Sequence, residues 1–300
     1  MGLKMIHHTV NKTTVTVGQA TATCILKTVP ETTSLHGEKP HPIVTWELVY
    51  PRYIHSELMT HRVFSRNASS SRATPCTVTC NEVIDDPVFF DFVGKNQRGM
   101  TAAAPLSIEE LAEFRAEWER LGQKVAEKVL EWKAKYNIHK QTINRALEPW
   151  LRIRTLVTAT ELENFFNLRL APDAQPEIQS LARAMQKSMQ LAETNVSDWH
   201  IPYAEYFAHK GYSDGELTIK SVASCARVSV MRNDGKVTSL EEDSKFYNFL
   251  LEHKHMSPFE HVAAAQPIGL TLENLVGWRS LRALLEGKPL AVVKSEDRSE

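Results

Sequence analysis

Hydrophobic and polar residues alternate near the start of the chain in the manner of β-strands. The alternation runs through residues 10–30, in T-T-V-T-V and A-T-A-T-C-I-L, with Gly18 near the break between them. This pattern predicts one hairpin or two short strands. A second run, I-V-T-W-E-L-V-Y within residues 42–50, predicts a buried strand that Pro51 ends.

Helical spacing dominates further along the chain. The most regular stretch runs from Ser107 to Tyr136, where apolar residues recur on one face and Ser107 with Glu110 makes a capping box. Other helices are predicted over 52–62, from about Thr158, from Pro176 to about Glu193, over Glu241–Glu252 and in L-E-N-L-V-G-W-R-S-L-R-A-L-L at 272–285. Residues 74–106 are predicted to be irregular.

The helix predicted from Thr158 mixes polar residues into an apolar face. Its predicted core residues are Leu162, Phe165, Phe166 and Leu168. Asn164, Asn167 and Arg169 lie among them, and polar groups beside so much apolar surface need hydrogen-bond partners. Protein groups and a ligand are both open as those partners.

Composition and charge narrow the class of protein. The 300 residues, 42% of them apolar, are enough for a sizeable core in one large domain or two small ones. With 35 basic and 36 acidic residues, the net charge of −1 argues against a general nucleic-acid binder. It leaves room for a local positive patch that binds a small anion.

Several kinds of site and location are not expected. No apolar run is long enough to cross a membrane, the start of the chain lacks the apolar core of a signal peptide, and four cysteines make no disulfide framework. A cytoplasmic protein is therefore expected. No metal is expected at Cys76 and Cys80, which lack nearby histidines, or between His253 and His261, where Pro258 interrupts helical spacing.

Charged and hydroxyl residues concentrate between Glu57 and Ala73, directly after the predicted buried strand. This segment contains Arg62, Arg66, Arg72, His61, Asn67, Ser65, Ser69, Ser70 and Ser71. Arginine forks and small hydroxyl groups suit a phosphate. The residues alone leave two interpretations open, a phosphate-binding loop on a rigid strand and a solvated Arg/Ser linker.

Four separated motifs resemble those of the flavin-dependent thymidylate synthases. H-R-x7-S-x-R, from His61 to Arg72, resembles the signature loop of that family. The others are N-R-A-L-E-P followed by N-F-F-N-L-R-L-A-P-D-A-Q-P-E-I, then A-R-V-S at 226–229 and H-x-S-P-F-E-H at 255–261. The last two come first in the common short enzymes, so the chain looks circularly permuted, as in long versions from bacteriophages and some actinobacteria.

The resemblance implies a fold, a reaction and an assembly. The implied fold is α+β, a central mixed or antiparallel sheet flanked by long helices, in a single catalytic domain over 1–300 whose residues 216–300 complete the flavin site. The implied reaction converts dUMP to dTMP at C5, with methylenetetrahydrofolate as carbon donor, FAD as cofactor and NADPH as reductant. The implied partners are a deoxypyrimidine monophosphate and further copies of the chain in a homotetramer, with no nucleic acid and no membrane.

The family's functional positions transfer to this chain residue by residue. Arg169, Ser70 and His255 would be catalytic, with Arg169 at the pyrimidine ring. The substrate-binding residues would be Glu57, Ser70, Ser71, Arg72, Arg145 and Arg169. The flavin-binding residues would be His61, Arg62, Val63, Asn164, Ser229, Ser257 and Glu260.

Four positions depart from the family pattern. Thr60 replaces the first arginine of the signature loop, Ala68 replaces its usual glutamate, and Thr158 and Thr160 replace an asparagine and an arginine. These losses keep other hypotheses open. One is C5-hydroxymethylation, or methylation of deoxycytidylate, for modified DNA; the other is a catalytically silent nucleotide-binding homologue.

Overall fold

The computed structural model describes residues 13–31, 41–208, 210–230, 238–266, 270–272, 274–287 and 291–292. Its strands are β1 (Thr13–Val17), β2 (Ala20–Val29), β3 (Ile43–Pro51), β4 (Ser65–Ala68), β5 (Arg152–Ala159), β6 (Asn195–Val196), β7 (Trp199–His200), β8 (Ala263–Ala265), β9 (Leu270–Leu272), β10 (Leu275–Val276), β11 (Trp278–Ser280) and β12 (Ala291–Val292). Its α-helices are α1 (His55–Met59), α2 (Cys76–Asp85), α3 (Ile108–Tyr136), α4 (Lys140–Ile143), α5 (Glu163–Arg169), α6 (Pro176–Leu191), α7 (Glu205–Ala208), α8 (Asp214–Val230), α9 (Leu240–Glu252) and α10 (Leu281–Leu285). Short 3-10 helices span Arg52–Ile54, Asn144–Trp150 and Ser257–Glu260.

A mixed sheet forms the centre of the fold. β1, β2, β3, β5 and β4 lie side by side in that order and pair antiparallel, while β6 pairs with β2 in the parallel direction. β1 and β2 make the predicted hairpin, and Gly18 at its turn has a φ of +51°, which glycine adopts without strain. This sheet and its helices confirm the predicted α+β class with a central mixed sheet.

Helices cover both faces of the central sheet. α6 packs across β1, β2 and β3, and its buried side chains there include Ile178, Leu181, Ala182 and Met185. On the other face, Cys225 and Val228 of α8 pack with Ile25 and Leu156. The strands β2, β3 and β5 are therefore buried on both sides, which fixes their register and holds the residues at their ends in place.

The long helix predicted from Ser107 is confirmed as α3. The hydroxyl of Ser107 accepts from the N–H of Glu110, and the Glu110 carboxylate accepts from the N–H of Ser107. α3 packs on α2 and on the 3-10 helix Asn144–Trp150, where the rings of Trp118 and Trp150 lie 5.1 Å apart. The helices predicted from Pro176 and over Glu241–Glu252 are likewise confirmed, as α6 and α9.

The irregular structure predicted for residues 74–106 is wrong at its start, because α2 occupies Cys76–Asp85. The sequence C-T-V-T-C-N-E-V-I-D has low helix propensity, so its apolar face is weak as a local signal. The helix instead gains its stability by burying Cys76, Cys80 and Val83 against α3.

The helix predicted from Thr158 is wrong at its start, because Arg152–Ala159 form β5 between β3 and β4. The β-branched residues of this run favour a strand, and α5 begins only at Glu163. Phe165 is buried as predicted, but Leu168 is 52% exposed and is not a core residue.

The amphipathic helix predicted over 272–285 is also wrong. Leu275–Val276 and Trp278–Ser280 are short strands, and only α10 is helical. Gly277 lies between the strands with a φ of +72°, a backbone conformation that interrupts a right-handed helix. The helix predicted over 52–62 holds only to Met59, because residues 60–62 form a turn.

Candidate active site

Arg169 lies at the centre of a polar cluster that the signature loop builds around it. Its Nε donates to Nε2 of His61 at 2.9 Å, and its Nη2 donates to the hydroxyl of Thr60 at 3.1 Å. The carboxylate of Glu57 lies 3.7 Å from its Nη1. Because α1 and the turn that follows it supply these three groups, they hold the guanidinium of Arg169 at the end of α5.

His61 is a hydrogen-bond acceptor in this cluster. Burial, with the charges of Arg169 and Arg66, lowers its pKa to about 4. The ring is therefore neutral at pH 7, and with Nε2 accepting from Arg169 its proton lies on Nδ1. Its ring packs edge-on against Phe165, with centroids 4.8 Å apart, which fixes its orientation.

Thr60 takes part in the same cluster, although it departs from the family pattern. Its hydroxyl donates to the carbonyl oxygen of Glu57 at 2.7 Å, so its lone pairs are left to accept from Arg169. A second arginine at this position would instead place another positive charge beside Arg169. Thr60 thus exchanges a charge for a hydrogen-bond acceptor.

The strand β4, which is part of the signature loop, packs against the C-terminal part of the chain. Asn67 on β4 is buried; its Nδ2 donates to the carbonyl oxygen of Cys225 on α8, and its Oδ1 lies 3.4 Å from the hydroxyl of Ser257. Glu260 forms an ion pair with Arg282 at 2.6 Å. Two of the residues assigned to the flavin, Ser257 and Glu260, therefore lie on a segment that packs against β4.

Hydroxyl groups and arginines lie close together just after the C-terminal end of β4. Oε1 of Glu148 lies 3.1 Å from Nε of Arg52, 2.7 Å from Nη1 of Arg145 and 3.1 Å from the hydroxyl of Ser71. Ser70 and Ser71 line a cavity of about 230 Å³. Arg52, Arg152 and Arg154 line the same cavity. Cationic groups from other elements therefore lie near both ends of the loop.

The remaining predicted residues are more open to solvent. Those with exposed side chains are Arg62, Val63, Arg72, Arg145, Asn164 and His255. His255 lies in a surface cluster of rings with Phe249 and His253, in which the planes of His253 and His255 are 11° apart. The side chain of Ser229 lies outside the part of the chain that the structure describes.

A buried hydrogen-bond chain beneath this site was missed by the sequence analysis. His200 bonds through Nδ1 to Thr28 and through Nε2 to Thr45, each at 2.8 Å. Thr45 bonds to Thr158 at 2.6 Å, and Thr158 bonds to Nδ1 of His261 at 2.8 Å. Burial lowers the pKa of His200 and His261 to about 3, so both rings are neutral at pH 7.

Thr158 therefore has a structural role in this chain. It crosses from β5 to the histidine of the S-P-F-E-H motif, whose Nε2 has no hydrogen-bond partner among the described residues. The sequence contained one signal for this network, since three threonines stand at inward positions of the apolar strands β2, β3 and β5. Buried hydroxyls require partners, and histidines from later in the chain supply them.

Comparison with known proteins decides the family. The model of the thymidylate synthase complementing protein family matches residues 36–192, just over half of the chain. The chain belongs to this family, that of the flavin-dependent thymidylate synthases. It is therefore an enzyme of the type that methylates a nucleotide with the help of a flavin. The match includes the signature loop and α5 but stops before A-R-V-S and S-P-F-E-H.

Solved structures of the family are similar to part of this chain. Thymidylate synthase X (ThyX) from Helicobacter pylori, with FAD and dUMP, aligns with 49% of this chain and 67% of that chain, at 21% identity and a TM-score of 0.34. The UMP/dUMP methylase PolB from Streptomyces cacaoi, bound with 5-Br UMP, aligns with 50% and 69%, at 19% identity and a TM-score of 0.40. No curated protein sequence matched the chain.

Within the described residues, no helix is long and apolar enough to cross a membrane. A search of the same residues for groups of three or more histidine, cysteine, aspartate or glutamate side chains able to hold a metal ion found none.

Proposed function

We propose that this member of the flavin-dependent thymidylate synthase family converts dUMP to dTMP. In the proposed reaction, methylenetetrahydrofolate supplies the carbon that is added to C5. FAD is the flavin, and when bound in its reduced form it supplies the hydride that completes the methyl group. NADPH is the proposed reductant of the flavin.

The observation that carries the proposal is the placement of cationic groups at both ends of one short strand. Arg169 is held at the start of the signature loop, while Ser70 and Ser71 lie at its end with Arg145 nearby. β4, whose four residues span about 10 Å at the usual rise per residue, lies between the two ends. This arrangement suits a nucleoside monophosphate whose base lies at Arg169 and whose phosphate lies at the serines.

Arg169 is the proposed electrostatic catalyst at the base. Its hydrogen bonds to His61 and Thr60 use two of its five N–H donors and fix the direction of the others. A fixed cation stabilises negative charge that develops on the pyrimidine ring without reorganising during the reaction. Glu57 lies beside Arg169, and burial raises the pKa of its carboxyl.

The surface beside Arg169 is the proposed flavin-binding surface. Three apolar residues near the Arg169 cluster have exposed side chains. Met59 and Leu168 directly precede Thr60 and Arg169, and Val63 lies two residues after His61. Arg62 lies on the same turn as Val63, and Asn164 lies on α5 with Leu168. Both side chains are exposed and can donate hydrogen bonds to the polar edge of a ring system. Exposed apolar groups edged by polar donors are typical of surfaces that bind a planar cofactor.

The C-terminal segment is the proposed second wall of the flavin site. Ser257 contacts Asn67 of β4. Burial lowers the pKa of Arg66, and the negative charge of Glu260 offsets part of that shift. These contacts support the interpretation that the chain is permuted and that A-R-V-S and S-P-F-E-H still return to the signature loop. Exposed Arg72 and His255 would then complete sites between subunits of a homotetramer.

Visible absorption spectroscopy tests the cofactor and the shared site together. The purified chain is expected to bind added FAD, and dUMP is expected to perturb the bound flavin's absorption bands. A chain that binds no flavin under any condition, yet binds dUMP, would contradict the proposal and favour a silent nucleotide-binding homologue.

A further inference from the structure

Glu148 makes contacts that a phosphate group would make. A single oxygen of its carboxylate, Oε1, receives the Nε of Arg52, the Nη1 of Arg145 and the hydroxyl of Ser71 within 3.1 Å. Two guanidinium groups and a serine hydroxyl converging on one anionic oxygen are a common phosphate-binding arrangement. Here a residue of the chain supplies the anion.

The surroundings of Glu148 suit an exchange of anions. Arg145 is more than half exposed, so its side chain can turn toward a ligand without unpacking the core. Arg52, Ser70 and Ser71 all line the cavity of about 230 Å³ at this end of the loop. An anion in that cavity would therefore meet Arg52 and Ser71, two of the three groups that Glu148 now holds.

We infer that the Glu148 carboxylate occupies the position of the nucleotide's phosphate and competes with it for Arg52, Arg145 and Ser71. This inference rests on the proposed function, because it assigns the anion to a nucleoside monophosphate. Glu148 then sets the affinity for the nucleotide: the phosphate must displace it, and a more weakly charged ligand displaces it less well. The competition is between like charges for the same donors, and it requires no covalent step.

The test measures binding of inorganic phosphate and of dUMP to the full chain by isothermal titration calorimetry. In Glu148→Gln the competing charge is gone, so both anions are expected to bind roughly fivefold to tenfold more tightly than to the wild type. Glu148→Asp keeps the charge but draws the carboxylate back by one methylene, and a smaller gain is expected. Glu119→Gln, which breaks an exposed Arg–Glu pair on α3, is the matched control and should leave both affinities unchanged.

Unchanged or weaker binding of inorganic phosphate by folded Glu148→Gln would overturn the inference and make Glu148 a residue that positions the arginines. Failure of the proposed function gives a different pattern. Tighter phosphate binding by Glu148→Gln without dUMP binding by any variant would retain the anion site and reject the nucleotide. Circular dichroism of each variant confirms that the fold is intact.

Discussion

At the scale of single residues, the site depends on how one guanidinium is held. Arg169 is useful for catalysis only if its direction is fixed before the substrate binds. Its contacts do this with a neutral histidine, a threonine and a carboxylate, all from residues 57–61 at the start of the signature loop and just before it. Because His61 has a pKa near 4, the contact between it and Arg169 persists throughout the neutral range.

Arg169→Lys keeps the charge but loses the planar fork that reaches both His61 and Thr60. We expect kcat to fall roughly a hundredfold to a thousandfold, the usual loss for a preorganised electrostatic group. Steady-state kinetics with dUMP measures this, and Arg183→Lys on α6 is the control. Wild-type kcat in Arg169→Lys would show that the base does not lie at this residue.

Thr60→Val removes the hydroxyl that accepts from Arg169 while keeping the shape of the side chain. We expect kcat to fall about tenfold, as for one lost hydrogen bond to a charged group, with a smaller change in KM. Thr60→Ser retains the hydroxyl and should restore most of the rate. If Thr60→Ser and Thr60→Val are equally slow, the effect comes from packing rather than from the bond to Arg169.

At the scale of elements, the sequence predicted best where the signal is local. The capping box and apolar face of α3 and the alternation in β1 and β2 are contained in the segments themselves. The last residues of β5, Thr158 and Ala159, fall in the predicted helix because the strand's character depends on its neighbours. β5 lies between β3 and β4 and buries Thr155 and Thr158. Those threonines are satisfied by Tyr50, Thr45 and His261, which are distant in sequence.

The buried chain through His200 and His261 predicts how stability depends on pH. The folded pKa of each is about 3, against 6.5 when unfolded, so the unfolded state binds more protons between these values. The contribution of these histidines to the free energy of unfolding is therefore complete above pH 6.5. It falls as pH decreases toward 3, by about 1.4 kcal/mol per pH unit for each histidine.

Urea unfolding at pH values from 7 down to 4 measures this slope. His261→Gln removes one titrating ring, so its stability should fall less steeply with decreasing pH than that of the wild type. His253→Gln, an exposed histidine, is the control and should keep the wild-type slope. Parallel curves for His261→Gln and the wild type would mean that His261 is not held neutral in the fold.

At the scale of the whole molecule, the site depends on distant parts of the chain meeting at β4. Motif resemblance predicted that residues near 229 and 257 return to the signature loop, and Asn67 bonds to Cys225 and approaches Ser257. The partner of each group could not be predicted from sequence, because Glu148, Arg52 and Arg66 acquire their roles only through packing. The exposure of Arg72 and His255 was equally unpredictable from local pattern.

The most direct test of the central claim is mass spectrometry of the nucleotide product. The chain is incubated with FAD, NADPH, methylenetetrahydrofolate and either dUMP or deoxycytidylate. We predict that dUMP gains one methylene unit and that the product co-elutes with dTMP, only when all three additions are present. Conversion of deoxycytidylate but not of dUMP would contradict the proposed substrate. A product that carries an extra oxygen would contradict the proposed methyl product.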